Sequence, residues 1–123
     1  MTNTLNVELT ALAIKDLKKL STIEDEIIIE LKVLKTKPHA GHALSQNLQG
    51  VRALEFSIKG SGEYRAAYVV QEAEMKITIF MIGTHENFYE TAAKRVKSLK
   101  HLIKLAKEEN RVKQQSKKNS TKH

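Results

Sequence analysis

The hydrophobic period of this sequence changes twice along the chain, and these changes limit the possible fold more than any other feature. Apolar residues recur at helical spacing in two N-terminal segments, residues 9–20 and 21–38. They alternate with a period of two in residues 54–82 and return to helical spacing after Gly83. The predicted order is helix, helix, strand, strand, strand, helix, which indicates an α+β domain with helices on one face of a sheet and the other face available.

The ends of the two N-terminal helices carry recognisable signals. Ser21 or Thr22 is expected to cap the second helix, whose acidic first turn suits the helix dipole and which Pro38 ends. A short turn makes the two helices antiparallel, and a short extra strand at residues 5–7 is compatible with the pattern. Residues 39–50 show no sustained period, which predicts a loop with at most one turn of helix.

The strand region predicts a three-strand antiparallel meander. Leu54, Phe56 and Ile58 alternate with polar residues in the first strand. A Gly-Ser-Gly turn at residues 60–62 leads into the second strand, because glycine supplies the positive φ of short turns. The third strand, residues 75–82, is apolar at nearly every position and is expected to be covered on both sides.

Positive charge is concentrated at the C-terminal end. The net charge is +7, but residues 94–123 hold eleven lysines and arginines against two glutamates, a local charge of +9 that leaves −2 for the first 93 residues. Such an end favours a polyanionic partner such as nucleic acid, although a solvated helix face and a tail that only aids solubility explain it equally. We divide the chain into a folded domain at residues 1–109, ending in a long helix, and a basic disordered tail at residues 110–123.

Several classes of protein are disfavoured by composition. The chain has no cysteine, which excludes disulfides and thiolate zinc sites and favours the cytoplasm. No signal peptide and no apolar run of about 18 residues is found, so we expect a soluble protein without a membrane partner. His39 and His42 lack further ligands nearby and indicate a solvated loop rather than a metal site. We expect no metal and no cofactor.

Arg65 is the one charge in a strand of otherwise apolar or small residues. On an uncovered face of the sheet, its planar guanidinium group can bind a phosphate, which lysine does less well. The alternative is that Arg65 forms a surface ion pair with Glu55 or Glu72 on a neighbouring strand. Arg52 and Lys59 bracket the first strand and would add positive charge to the same face, whereas Glu55 opposes it.

The segment GTHENFYETAAKR, residues 83–95, joins the last strand to the last helix. Asn87 and Glu90 fit a capping box, in which case His85 is only a junction residue. A helix N-terminus also favours anions, however, and a histidine just before it can exchange protons near neutral pH. Both interpretations remain open on the residues alone.

Two stretches, NLQGVRALEFSIKGSGEYRAAYVV and ITIFMIGTHENFYETAAKRV, resemble the RelE/ParE superfamily of toxins from bacterial type II toxin–antitoxin systems. The resemblance covers about residues 9–99 and is most specific at these positions: Leu48, Gly50, Tyr64, Arg65, Tyr68, Gly83 and the HENFYE….KR start of the last helix. It implies two N-terminal helices packed on a twisted antiparallel sheet with a long C-terminal helix. It also implies an mRNA interferase, which binds mRNA and the ribosome, needs no metal or small-molecule cofactor, and is inhibited by a cognate antitoxin.

The resemblance further implies roles for individual residues. Arg65 matches the strand arginine that contacts the scissile phosphate, and His85 is the candidate acid or base for attack by the 2′-hydroxyl group. Tyr89 matches an aromatic residue that stacks on a base or assists proton transfer, and Arg95 matches a basic, RNA-binding position. Glu55 departs from the family, because active members often carry Arg or Lys there.

The departure at Glu55 keeps other functions open. Either Arg52 and Lys59 supply the missing positive charge for RNA binding, or the nuclease function is in doubt. ParE-like members of the superfamily inhibit DNA gyrase and are not nucleases. A basic nucleic-acid-binding module that acts through its C-terminal tail is the third candidate.

Overall fold

The order of helices and strands agrees with the sequence pattern. A computed structural model describes residues 4–100 of the chain. Its elements are β1 (Asn6–Leu9), α1 (Ala11–Lys19), α2 (Glu24–Leu31), β2 (His42–Ala43), β3 (Arg52–Ile58), β4 (Gly62–Gln71), β5 (Lys76–Gly83) and α3 (Phe88–Val96), joined by short 3-10 turns. The strand predicted at residues 5–7 is found as β1, whereas β2 lies in a segment expected to be a loop.

The sheet has five strands in the order β1-β5-β4-β3-β2. The meander of β3, β4 and β5 is antiparallel and confirms the prediction. β1 pairs with β5 in parallel, so the sheet is mixed rather than purely antiparallel. β5 lies between β1 and β4, and its side chains are buried on both faces as expected.

Helices cover both faces of the sheet, so the expectation of one available face is wrong. On the first face, α1 and α2 bury Ala13, Leu17, Ile27 and Leu31 against alternate strand residues that include Tyr68. On the second face, α3 buries a different set of residues against the sheet. This second core comprises Leu48, Val51, Ala53, Ala67, Val69, Phe80, Met81, Phe88 and Ala92. The small side chains of β3 and β4 on this face leave space for the buried Phe88 ring.

The first two helices begin differently from each other. The Thr10 side chain caps α1 by accepting a hydrogen bond from the Ala13 N–H at 3.2 Å. Neither Ser21 nor Thr22 caps α2; both lie in a 3-10 turn, and no side-chain capping bond precedes Glu24. The acidic first turn of α2 is present as predicted and favours the helix start through the macrodipole.

The last helix follows the predicted stripe within the described chain. Phe88 and Ala92 are buried, and Val96 and Leu99 pack against the same core. The predicted continuation to residue 106 and the basic tail at residues 110–123 lie outside the described residues. Within residues 4–100, no helix is long and apolar enough to cross a bilayer.

Candidate active site

Arg65 lies at the centre of the site, on the second face of the sheet. In the strand register it is opposite Glu55 of β3 on one side and Gly83 of β5 on the other. Its Nη2 atom lies 3.3 Å from Glu55 Oε2, and its Nη1 atom donates a hydrogen bond to the Tyr89 hydroxyl group at 2.7 Å. The cross-strand pair with Glu55 that the sequence left open is therefore formed, and α3 supplies a second partner.

Aromatic rings hold the guanidinium group from the side of α3. Its central carbon lies 5.4 Å from the Tyr89 ring centroid and 6.0 Å from that of Phe88, within the range of cation–π attraction. The two rings meet edge to face with centroids 5.4 Å apart. Because Phe88 is fully buried in the second core, it fixes the start of α3 and with it the position of Tyr89.

The junction before α3 is not the predicted capping box. Asn87 adopts a left-handed conformation with φ of 55°, and its side chain makes no capping hydrogen bond. N-cap residues whose side chains cap a helix typically have an extended backbone, so the left-handed conformation of Asn87 explains why the capping prediction is wrong. Asparagine tolerates positive φ better than most residues, and here it turns the chain sharply from β5 into α3. The turn places His85 at the surface, where its carbonyl oxygen accepts a hydrogen bond from the Phe88 N–H at 3.3 Å.

A small depression of about 110 Å³ brings Arg65 and His85 together. Glu55, Glu63 and Tyr64 also line it. Gly83 leaves room beside this depression, since an added Cβ atom there would meet only the Met81 side chain, at 4.0 Å. The depression thus combines a guanidinium group, an imidazole ring and two carboxylates. Glu63 was not predicted as a site residue from the sequence. It lies two residues from Arg65 in the same strand, however, and this spacing predicts that the two side chains share a face of the sheet.

Arg52 lies on the opposite face of the sheet from Arg65. It pairs in register with Tyr68, which belongs to the core under α1 and α2. Its Nη2 atom donates hydrogen bonds to the carbonyl oxygens of His39 and Gly41, so it holds the loop before β2. The structure does not bring Arg52 to the depression, and Lys59 is exposed in the turn after β3. Their contacts with RNA remain predictions.

Arg95 is engaged in a buried contact rather than presented at the surface. Its guanidinium group pairs with Asp16 of α1 through two hydrogen bonds of 2.6 and 3.0 Å and donates a third to the Phe80 carbonyl oxygen at 2.9 Å. Asp16 also accepts a hydrogen bond from the Ile82 N–H at 2.9 Å. Arg95 therefore has a structural role, and its RNA contact remains a prediction.

The two histidines of the loop show no metal-site geometry. His39 lies 3.2 Å from a carboxylate oxygen of Glu72, and His42 is exposed in β2. Across residues 4–100, no group of three or more potential ligand side chains is arranged to hold a metal ion.

Solved structures of RelE toxins have a similar arrangement of helices and strands. A mutant of the E. coli toxin RelE in the free state matches with a TM-score of 0.60 at 21% identity, covering 77% of this chain and 97% of that one. The toxin–antitoxin complex RelBE2 from Mycobacterium tuberculosis matches with a TM-score of 0.57 at 21% identity, covering 67% of this chain and 99% of that one. At these identities the likeness shows the fold, which is RelE-like.

The family follows from the sequence itself. A family model described as the ParE-like toxin of type II bacterial toxin–antitoxin systems matches residues 7–94. The chain therefore belongs to this family of toxins, and the resemblance to the RelE/ParE superfamily is confirmed. No curated protein matches the sequence significantly.

Proposed function

We propose that this toxin is a ribosome-dependent endoribonuclease that cleaves mRNA and thereby inhibits translation. One observation carries the proposal: Arg65 of β4 and His85 of the β5–α3 junction line one depression on the second face of the sheet, and Tyr89 of α3 accepts a hydrogen bond from Arg65 at 2.7 Å. Residues this far apart in sequence meet at a site with a cation, a titratable ring and an exposed aromatic ring. These groups suit the binding and cleavage of single-stranded RNA.

The proposed reaction uses these side chains, solvent water and the 2′-hydroxyl group of the RNA itself. The 2′-hydroxyl oxygen of one nucleotide attacks the adjacent phosphorus, forming a 2′,3′-cyclic phosphate and releasing the 5′-oxygen of the next nucleotide. Arg65 donates hydrogen bonds from its planar guanidinium group to the phosphate oxygens and stabilises the negative charge that develops on them. His85 either accepts the proton that leaves the 2′-hydroxyl group or supplies the proton that the 5′-oxygen gains, and solvent water exchanges the other proton. Tyr89 orients Arg65 through its hydroxyl group and offers its ring to a base.

Glu55 competes with RNA for Arg65 in this proposal. Its side chain is 49% exposed and that of Arg65 is 17% exposed, so their ion pair is open to water on the side of Glu55. Exposed ion pairs contribute about 0–1 kcal/mol to stability. A phosphate that accepts two hydrogen bonds from the guanidinium group can replace the carboxylate at small cost, and Glu55 therefore weakens RNA binding without preventing it.

The partners follow from the proposed reaction and from the solved complexes. The mRNA and the ribosome are the proposed targets, which places the protein in the cytoplasm. RelE toxins have been solved in complex with RelB antitoxins, including the intact E. coli RelBE complex. We propose that a cognate antitoxin likewise inhibits this chain, and that the gene beside its own encodes it.

Growth assays test the assignment of the catalytic residues. Induction of the wild-type protein without antitoxin is expected to arrest bacterial growth, and Arg65→Ala or His85→Ala is expected to relieve the arrest. Lys32→Ala provides a matched control, because Lys32 is exposed in the turn after α2 and remote from the depression. Circular dichroism of the purified variants must show intact folds. Full toxicity of both folded site variants would contradict the assignment.

Inhibition of DNA gyrase is the second candidate, favoured by the match to the ParE-like family model. Reporters for translation and for the DNA-damage response separate the two functions. An mRNA interferase stops protein synthesis first and leaves the damage reporter silent. A gyrase inhibitor induces the damage reporter while protein synthesis initially continues, and that order of events would overturn the nuclease proposal.

A further inference from the structure

The sheet edge formed by β3 is only partly covered. β2 pairs with the first two residues of β3, Arg52 and Ala53, and with no later residue of this strand. Before β2 the chain turns towards the first core, where the Gly41 N–H donates a hydrogen bond to the Tyr68 hydroxyl group at 3.0 Å. Within the described chain, residues 54–58 of β3 therefore form the outer edge of the sheet.

The backbone groups of Glu55 and Ser57 point outwards from this edge. In an antiparallel sheet, the residues of a strand bond alternately to one neighbouring strand and to the other. The Val51 carbonyl oxygen accepts a hydrogen bond from the residue after β2, whereas the Ile58 carbonyl oxygen accepts one from the turn before β4. Odd-numbered residues of β3 thus face outwards, and among residues 4–100 no backbone partner is found for Glu55 or Ser57 on that side. Such an edge can pair with another strand.

The side chains along this edge are self-complementary in charge. Residues 55–59 read Glu-Phe-Ser-Ile-Lys, in which Glu55, Ser57 and Lys59 are exposed and the two apolar residues belong to the first core. When two such edges meet antiparallel with Ser57 at the centre, each Glu55 lies opposite Lys59 of the second copy. Opposite charges that face each other across strands stabilise the pair, whereas like charges destabilise it.

We propose that a second copy of this chain pairs antiparallel with residues 55–59 and joins the two sheets into one. Each Ser57 N–H donates a hydrogen bond to the Ser57 carbonyl oxygen of the other copy, across a two-fold axis. A pairing centred on Glu55 is excluded, because it would require Ala53, which β2 already pairs. This dimer goes beyond the proposed function and does not depend on it.

The dimer adds positive charge beside the candidate active site. Glu55 lines the depression together with Arg65. Residues opposite each other in neighbouring strands lie about 5 Å apart, so Lys59 of the second copy reaches the Glu55 carboxylate. The second copy thus brings to the rim of the depression a cation that Arg52, on the other face of the sheet, does not supply.

Sedimentation velocity of the full-length wild-type protein tests for the dimer. One strand pair is a small interface compared with the roughly 1,200–2,000 Å² of standard complexes, so we expect weak association. The protein should shift from monomer to dimer between about 1 and about 300 µM. Salt at about 0.15 M screens the repulsion between the basic C-terminal ends of the two copies.

Two substitutions of Ser57 test whether the strand edge forms the interface. Ser57→Pro removes the N–H group that is donated across the two-fold axis and should abolish the dimer. Edge strands tolerate proline where the N–H group faces solvent, as it does here in the monomer. Ser57→Ala keeps the N–H group and should retain the dimer. Circular dichroism checks that both variants are folded.

A single introduced thiol tests the register. The chain has no cysteine, so Ser57→Cys provides its one thiol group. Residues that exchange both hydrogen bonds across an antiparallel pair have Cα atoms about 5.5 Å apart, a distance that a disulfide spans. Ser57→Cys should therefore yield a disulfide-linked dimer under mild oxidation. Ser21→Cys, also exposed but in the turn between α1 and α2, is the matched control and should remain largely monomeric.

Charge reversal tests the pairing of Glu55 with Lys59. Glu55→Lys and Lys59→Glu each place like charges opposite each other twice in the dimer, so each should weaken dimerisation by about 10-fold or more. An equimolar mixture of the two variants should dimerise as the wild-type protein does, because every facing pair is again opposite in charge. Lys15→Glu is the matched control, since Lys15 is exposed on α1, which packs on β5.

The outcomes decide the proposal independently of RNA cleavage. A wild-type protein that stays monomeric up to about 300 µM overturns it, and the edge charges then serve to prevent association. A dimer that survives in folded Ser57→Pro overturns it too, as does a mixture of charge variants that associates no better than either alone. If Ser57→Pro fails to fold, the thiol and charge variants still decide. Pairing of this edge with an antitoxin strand, without a dimer, contradicts the second copy as its occupant.

Discussion

Removal of the Asp16 carboxylate is expected to destabilise the protein strongly, because this group completes the edge of β5. β1 pairs with β5 only as far as Ile79. Beyond that point the Ile82 N–H donates to Asp16, and the Phe80 carbonyl oxygen accepts from Arg95. The Asp16–Arg95 pair thus substitutes for the missing strand and joins α1, β5 and α3. Without such partners, the N–H and C=O groups at a strand edge lack hydrogen bonds and can pair with a strand of another chain.

The magnitude follows from what Asp16→Ala leaves behind. The side chains of Asp16 and Arg95 are only 10% and 17% exposed. Breaking a buried ion pair by removal of one partner costs about 3–5 kcal/mol, because the other charge remains buried without its partner. The Ile82 N–H also loses its acceptor, which is part of the same cost. With a typical urea m-value of about 2 kcal/mol per M, the unfolding midpoint should fall by about 1.5–2.5 M.

Urea denaturation followed by circular dichroism measures this loss, and a double-mutant cycle assigns it to the pair. Asp16→Ala, Arg95→Ala and the double variant are compared with the wild-type protein, and Glu30→Ala, exposed on α2 outside its first turn, is the control. The double variant should cost less than the sum of the single variants by at least about 1.5 kcal/mol. A cost below about 1 kcal/mol for Asp16→Ala, or simple additivity, would refute the argument.

Two further predictions concern the loop before β2 and the charge beside Arg65. A Cβ atom at Gly41 would clash with the backbone of β3 and lie 2.8 Å from the Tyr68 hydroxyl group, so Gly41→Ala should lower the free energy of unfolding by about 1–3 kcal/mol. Gly83→Ala, whose Cβ meets nothing within contact distance except one methyl group at 4.0 Å, should change it much less in the same denaturation assay. Glu55→Gln should raise RNA affinity by about 1.5-fold to 5-fold in fluorescence anisotropy, the equivalent of an exposed ion pair. Glu26→Gln on α2 controls for net charge, and unchanged or lower affinity for Glu55→Gln would show that the carboxylate does not compete with phosphate.

Elements with a strong burial pattern were predictable from sequence. The meander is encoded by alternating residues such as Leu54, Phe56 and Ile58, which must all face one core. The face of β4 on which Arg65 lies was predictable too, because Arg65 alternates with Tyr64 and Ala66 of the first core. Its contact with RNA remains a prediction. Packing of α3 on the second face was not, because that face is built from small residues such as Ala53 and Ala67 that leave little hydrophobic signal.

Features that depend on distant contacts or on backbone conformation could not be read from the sequence. Arg95 looks like a surface residue of a basic helix, and its partner Asp16 lies 79 residues away. Asn87 and Glu90 match the capping pattern, but the left-handed backbone of Asn87 cannot be inferred from that pattern.

Cleavage of a defined mRNA on purified ribosomes tests the central claim most directly. Ribosomes are stalled with a chosen codon in the A site, the purified protein is added without metal beyond that needed by the ribosome, and primer extension maps the new ends. The account predicts cleavage within that codon, with a 5′-hydroxyl group on the downstream fragment. Arg65→Ala should slow single-turnover cleavage by about 100-fold to 1,000-fold, as expected for the loss of one group that stabilises transition-state charge. Cleavage that Arg65→Ala leaves undiminished, or no cleavage by a wild-type protein that still arrests growth, would contradict it.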